Sequence, residues 1–194
     1  SSPMERQEAL NIVHQFIKSE SLIHHLLSVE AAMRWYAEKF EQDAEIWGLA
    51  GLLHDYDWEV HPSAEDHPLL GLPYLRERGV PEEIIYAIAS HADKPDYPRL
   101  SMIDKALYAC DEVTGIVTAT ALVRPSKSLY DLEAKSVKKK WKDHSFAAGT
   151  DRTIMENGAA DLGVPLWDHV QNVIHAMRKI APALGLAGSL PPTE

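Results

Sequence analysis

A single cysteine, Cys110, stands in a chain of 194 residues, so no disulfide can close within it. That excludes a disulfide-stapled secreted domain and fits the cytoplasm. No apolar run approaches the ~20 residues that a membrane span requires. The first residues lack the basic-then-apolar order of a secretory signal. Ser1-Ser2-Pro3 ahead of Met4 reads as a remnant of expression, with Met4 as the expected native start. Strand-like alternation of useful length is missing, and so is any internal repeat. Positive charge is scarce: 19 Lys and Arg against 29 Asp and Glu leave a net charge of −10. Phosphate backbones and anionic membranes reward Lys and Arg. The balance therefore argues against a nucleic-acid polymer or a membrane as partner. It leaves room for a small phosphorylated substrate held by a local basic cluster, and for a homo-oligomer.

What is present is helical patterning. The composition, 45% hydrophobic and 25% charged, is that of an ordinary globular protein. Ala9, Leu10, Ile12, Val13, Phe16 and Ile17 form a helical stripe. Ser19 or Ser21 can cap a second helix to about Phe40, and Asp43 opens a third that ends near His54-Asp55. A polar loop with Pro62 follows. A helix from about His67 to Arg78 should stop at Gly79, and Pro81 should sit at N1 of the next, which ends near His91. Further helices are expected over about 100–122, in DLEAKSVKKKWKD, over 151–162 and over 165–180. The fold class expected is all-α: one compact helical domain over 1–194, with its core at about 10–180 and a flexible tail over 182–194.

The chemistry concentrates around the adjacent pair His54-Asp55, at the end of the apolar segment AEIWGLAGLLHDYD. Neighbours in mid-helix point about 100° apart. At a helix end both can turn toward one ion, and the two oxygens of Asp55 could bridge two. His25 shares a helix face with Leu22, Leu26 and Val29. Asp111 lies among Ala106, Leu107 and Cys110. An ionised carboxylate in apolar surroundings is costly unless it is paired or binds metal. Imidazoles and carboxylates gathered from several helices make a divalent metal site. Each alone has a plainer reading: a satisfied core histidine, or a capping aspartate. His24 competes with His25 for the ligand role.

The longer strings carry a resemblance. HHLLSVEAAM, LAGLLHDYDWE, HPLLG, ASHADKP, ALYACDEVTGIV, LVRPSKSL and KSVKKKWKDHSFAAGTDR are similar to a bacterial subgroup of the HD superfamily of metal-dependent phosphohydrolases. The resemblance covers about residues 10–180. It implies an all-helical domain with a divalent metal (Mn, Fe, Ni, Co, Zn or Mg) ringed by His25, His54, Asp55 and Asp111, and it selects His25 over His24. In branches with two ions, the Asp of the pair is a bridge and two further histidines are ligands. His67 and His91 resemble those two in position. The GYP tripeptide of the cyclic-dinucleotide branch is absent.

The activity expected is hydrolysis of a small phosphorylated metabolite or nucleotide, by a phosphatase or phosphodiesterase that uses a metal-activated water. Lys94 or Lys105 could supply the leaving group with a proton. Asp57 and Glu59 could orient a water, although solvated loop charges are the plainer reading. Arg124 and Lys127 are candidates for binding substrate phosphate, and Trp58 for a stacking wall. The other readings are a mixed-valence di-iron oxygenase, which the count of four His and two Asp would suit, and a regulatory domain without activity.

Overall fold

The computed structural model describes residues 4–193. Ser1-Ser2-Pro3 lies outside them. Among the described residues every regular element is helical, as the patterning requires. The chain divides into two compact units, the first ending at Tyr108 and the second beginning at Ala109.

The first unit holds α1 (Arg6–Phe16), α2 (Glu20–Lys39), α3 (Ala44–Leu53), α4 (Leu72–Glu77), α5 (Glu82–Ser90) and the first turns of α6 (Met102–Val123). Local chemistry sets the starts. Ser19 Oγ accepts from the Leu22 N–H, and Asp43 Oδ1 accepts from those of Glu45 and Ile46. At α6, Ser101 Oγ accepts from the Asp104 N–H, and Asp104 Oδ2 from those of Leu100 and Ser101, a reciprocal cap. Glu59 accepts from the Lys18 and Ser19 N–H groups. It therefore ties the turn after α3 to the start of α2 while remaining exposed to solvent.

α2 and α3 are tightly paired. A Cβ on Gly51 would lie 2.8 Å from the Glu30 backbone, so only glycine allows this approach. Glu30 itself is buried between Arg6, at 2.6 Å, and Arg34, at 3.1 Å. Paired in this way, its charge is tolerable inside the fold.

The helix expected from His67 to Arg78 is in two parts: a 3-10 turn over Leu69–Gly71, then α4. Pro73 explains the break. It lacks an N–H and would clash with a preceding helical turn, so it fits only where a helix starts. Pro81 is the cap residue before α5 rather than its first helical residue.

The second unit holds the rest of α6 with α7 (Ala134–Lys140), α8 (Arg152–Leu162) and α9 (Leu166–Arg178). A Cβ on Gly158 of α8 would meet the Ala109 Cα at 2.9 Å. Buried His169 donates from Nε2 to the Ala109 carbonyl at 2.7 Å. Arg178, also buried, donates to the carbonyls of Leu129 and Leu132. Within the segment after Ala181, Leu184 and Leu186 are buried, and the Leu186 carbonyl accepts from the Leu129 N–H at 2.8 Å.

α6 is long and apolar enough to cross a membrane by length and composition, which the sequence reading did not anticipate. Most of that apolar stretch is buried within the protein.

Candidate metal centre

α3 ends at Leu53, and His54 is its C-cap. The chain then leaves the helix through turns over 54–60. This lets His54 and Asp55 face the same point. His25 arrives from α2, His67 from the loop before the 3-10 turn, and His91 from the C-cap of α5. His54, His67 and His91 are buried, and the Asp55 side chain is 17% exposed.

Four imidazole Nε2 atoms converge on the one carboxylate of Asp55. His67 and His91 lie 3.0 and 3.2 Å from Oδ1. His54 and His25 lie 3.2 and 3.7 Å from Oδ2. In one group, Asp55, His67 and His91 offer ligand atoms that all lie within 4.8 Å of one another.

The far side of three rings shows what the near side is for. Nδ1 of His54 lies 2.7 Å from the Gly51 carbonyl, Nδ1 of His91 2.5 Å from that of Ile88, and Nδ1 of His67 2.8 Å from Asp57 Oδ1. Each of these partners only accepts, so each Nδ1 carries the proton. In the neutral rings the Nε2 lone pairs then point at carboxylate oxygens, acceptor against acceptor. A cation between them removes the conflict, and such outer partners are usual behind metal-bound histidines. The charge state agrees. Burial works against the His67 imidazolium, yet its hydrogen bonds to Asp55 and Asp57 raise it to about 9. Burial likewise opposes the Asp55 anion, but His54, followed by His67 and His91, holds it well below the usual carboxylate range. The pocket is built to hold positive charge, so a divalent ion fits it.

His25, His54, Asp55, His67 and His91 come together. Asp111 lies on α6, in the second unit and partly buried. Trp58 is 40% exposed, with its ring centre 5.0 Å from that of His67. Lys94 donates to the Ala64 carbonyl, which ties down the loop ahead of His67. Lys105 lies on the first turn of α6. Arg124 donates to Ser136 and Asp131, and Lys127 to the Leu122 carbonyl, all within the second unit. Asp57 was undervalued as a loop charge. It is buried against His67. Its place two residues after Asp55 was the available signal.

The HD domain family model matches residues 22–137, more than half of the chain. The chain belongs to the HD-domain family. HD domains bind divalent metals, membership of the family supports a phosphohydrolase in general terms, and the His and Asp cluster fits a metal site. This HD domain is 32% identical over 142 residues to ribonuclease Y of Desulfotalea psychrophila, covering 70% of this chain and 27% of that protein. It is 29% identical over 145 residues to ribonuclease Y of Nitratidesulfovibrio vulgaris, covering 72% and 28%. The match to ribonuclease Y of Chlorobium chlorochromatii is 25% over 147 residues, covering 73% and 28%. The chain thus spans little more than a quarter of the length of these relatives.

The relatives overturn one expectation. The acidic balance argued against nucleic-acid polymers and for a small phosphorylated partner, yet these relatives are ribonucleases by name. Net charge is a poor guide to such a partner, because a divalent ion held at the cluster would bring positive charge that a count of side chains omits.

Proposed function

We propose that this HD domain is a metal-dependent phosphodiesterase that cleaves RNA. The observation that carries the reading is the convergence of four imidazoles on Asp55, two at each oxygen. It supports two adjoining ion pockets that share Asp55. One uses Oδ2 with His25 and His54; the other uses Oδ1 with His67 and His91. The family resemblance adds Asp111 to the first. Imidazole-rich pockets of this kind suit Fe, Ni or Zn better than Mg.

A divalent ion held there would polarise a phosphoryl oxygen and lower the pKa of a water toward 7. The chain's own residues do the rest. Asp55 fixes the spacing of the pockets, and the Gly51 and Ile88 carbonyls and Asp57 fix three rings. Trp58 offers an exposed aromatic face beside His67 for a base of the substrate. Stacking of this kind is tolerant of sequence. Lys94 is held by a backbone carbonyl, so we assign it to loop positioning and not to proton transfer.

The test is hydrolysis of a short single-stranded RNA, bis-p-nitrophenyl phosphate and p-nitrophenyl phosphate with Mn, Fe, Co or Ni. Cleavage of the RNA and the diester, lost in Asp55→Asn, is expected. Turnover of the monoester alone would overturn the diester assignment. Oxygen consumption by an iron-loaded protein that hydrolyses none of the three would move it to the oxygenases.

A further inference from the structure

Asp57 stands behind the pocket. Its side chain is 3% exposed, and Oδ1 accepts the Nδ1–H of His67 at 2.8 Å. Its position is enforced from the other side. A Cβ on Gly71 would come within 2.8 Å of the Asp57 Cβ, and the Gly71 carbonyl is held by the Tyr56 hydroxyl at 2.5 Å. Asp57 Oδ2 faces His61 Nδ1 at 3.4 Å, with no hydrogen bond to either buried atom. Of the three rings whose Nδ1 partners are described above, two give that proton to backbone carbonyls and His67 gives it to a carboxylate.

That difference has a chemical consequence. A carboxylate behind an imidazole fixes its orientation and makes the facing nitrogen more basic than a carbonyl does. We propose that Asp57 is a positioning residue for His67, and that it makes the two pockets unequal. The ion held by Asp55 Oδ1, His67 and His91 depends on Asp57; the ion on the His25 and His54 side does not. The inference rests on the reading that both pockets hold an ion.

Cobalt(II) titration of the metal-free full chain tests it, followed by calorimetry and visible absorption, for the wild type, Asp57→Asn and Asp57→Ala. Asparagine keeps an acceptor for His67 and removes the charge; alanine removes both. The wild type should take up two ions. In both variants one ion should bind as before and the other about 10- to 100-fold more weakly, and more so in Asp57→Ala. The melting temperature of metal-free Asp57→Asn should stay close to that of the wild type.

Two ions in the wild type with both affinities kept in the variants would overturn the role of Asp57 and leave the two-pocket reading standing. Equal weakening of both ions would also overturn it, because that is the mark of a general structural loss. Fewer than two ions in the wild type would overturn the two-pocket reading and this inference with it. If neither variant folds, the Nδ1–H resonances of the zinc-loaded wild type decide. A His67 proton clearly downfield of those of His54 and His91 supports the assignment; one that coincides with theirs overturns it.

Discussion

His91 Nε2 lies 3.2 Å from Asp55 Oδ1, although 36 residues separate the two in the chain. The contact joins the end of α5 to the turn that follows α3. It shows how the centre is made: two helix ends, each closed by a histidine at its C-cap, are brought face to face. At a C-cap the backbone is free to leave the helix, so the next side chains can be aimed without breaking internal hydrogen bonds.

Asp55→Asn should empty both pockets and abolish hydrolysis. The amide keeps the shape of the carboxylate but loses the charge and half of its acceptor capacity. Elemental analysis beside circular dichroism checks this; a folded variant that keeps its metal would reject Asp55 as the shared ligand.

Trp58→Ala should raise KM for a short RNA by about 5- to 100-fold, the effect of losing about 1–3 kcal/mol of base stacking. Metal content should not change, and kcat should change little. Steady-state kinetics give the answer, and an unaltered KM would remove Trp58 from the substrate path.

Metal uptake near pH 7.5 should release protons. In the metal-free protein His67 titrates at about 9, so at that pH it is still protonated. Ligation requires the neutral ring. Calorimetry in two buffers of different ionisation enthalpy measures the release. The sign for stability follows. The folded value lies above the ordinary 6.5, so this contribution to metal-free stability is complete below about pH 6.5 and is lost as the pH rises through about 9.

His169 should make the fold sensitive to acid. Burial lowers its imidazolium to about 4, and the hydrogen bond to Ala109 only partly opposes this. Between about 6.5 and 4 the unfolded chain binds the proton and the native state does not, so stability falls as the pH falls through that window. The full effect is about 3 kcal/mol at most. Denaturant unfolding of the wild type and His169→Gln at pH 7 and pH 4.5 measures it. The wild type's advantage over the variant should shrink at the lower pH.

Gly51→Ala should destabilise the fold by about 1–3 kcal/mol or more, because the added Cβ meets the Glu30 backbone at 2.8 Å. It should also weaken metal binding, since α2 carries His25 and the end of α3 carries His54. Thermal unfolding with a metal titration checks both; a neutral result would mean that the two helices separate at little cost.

Much of the fold was legible because its determinants are local. The stripe of α1, the caps at Ser19 and Asp43, and the break at Gly79 follow from helical spacing and backbone chemistry within a few residues. Where the reading went astray, the deciding contacts were distant. Asp57 looks like a loop charge until His67 arrives beside it.

By itself the sequence determined the helical class, several of the places where helices begin and end, and the residue types that could bind an ion. Only the tertiary structure decided that two imidazoles meet each oxygen of Asp55, and that a carboxylate stands behind His67. Spacing along one chain fixes which face of a helix a side chain occupies. It cannot fix which atoms of separate helices come within 3 Å, because that depends on packing between segments many residues apart.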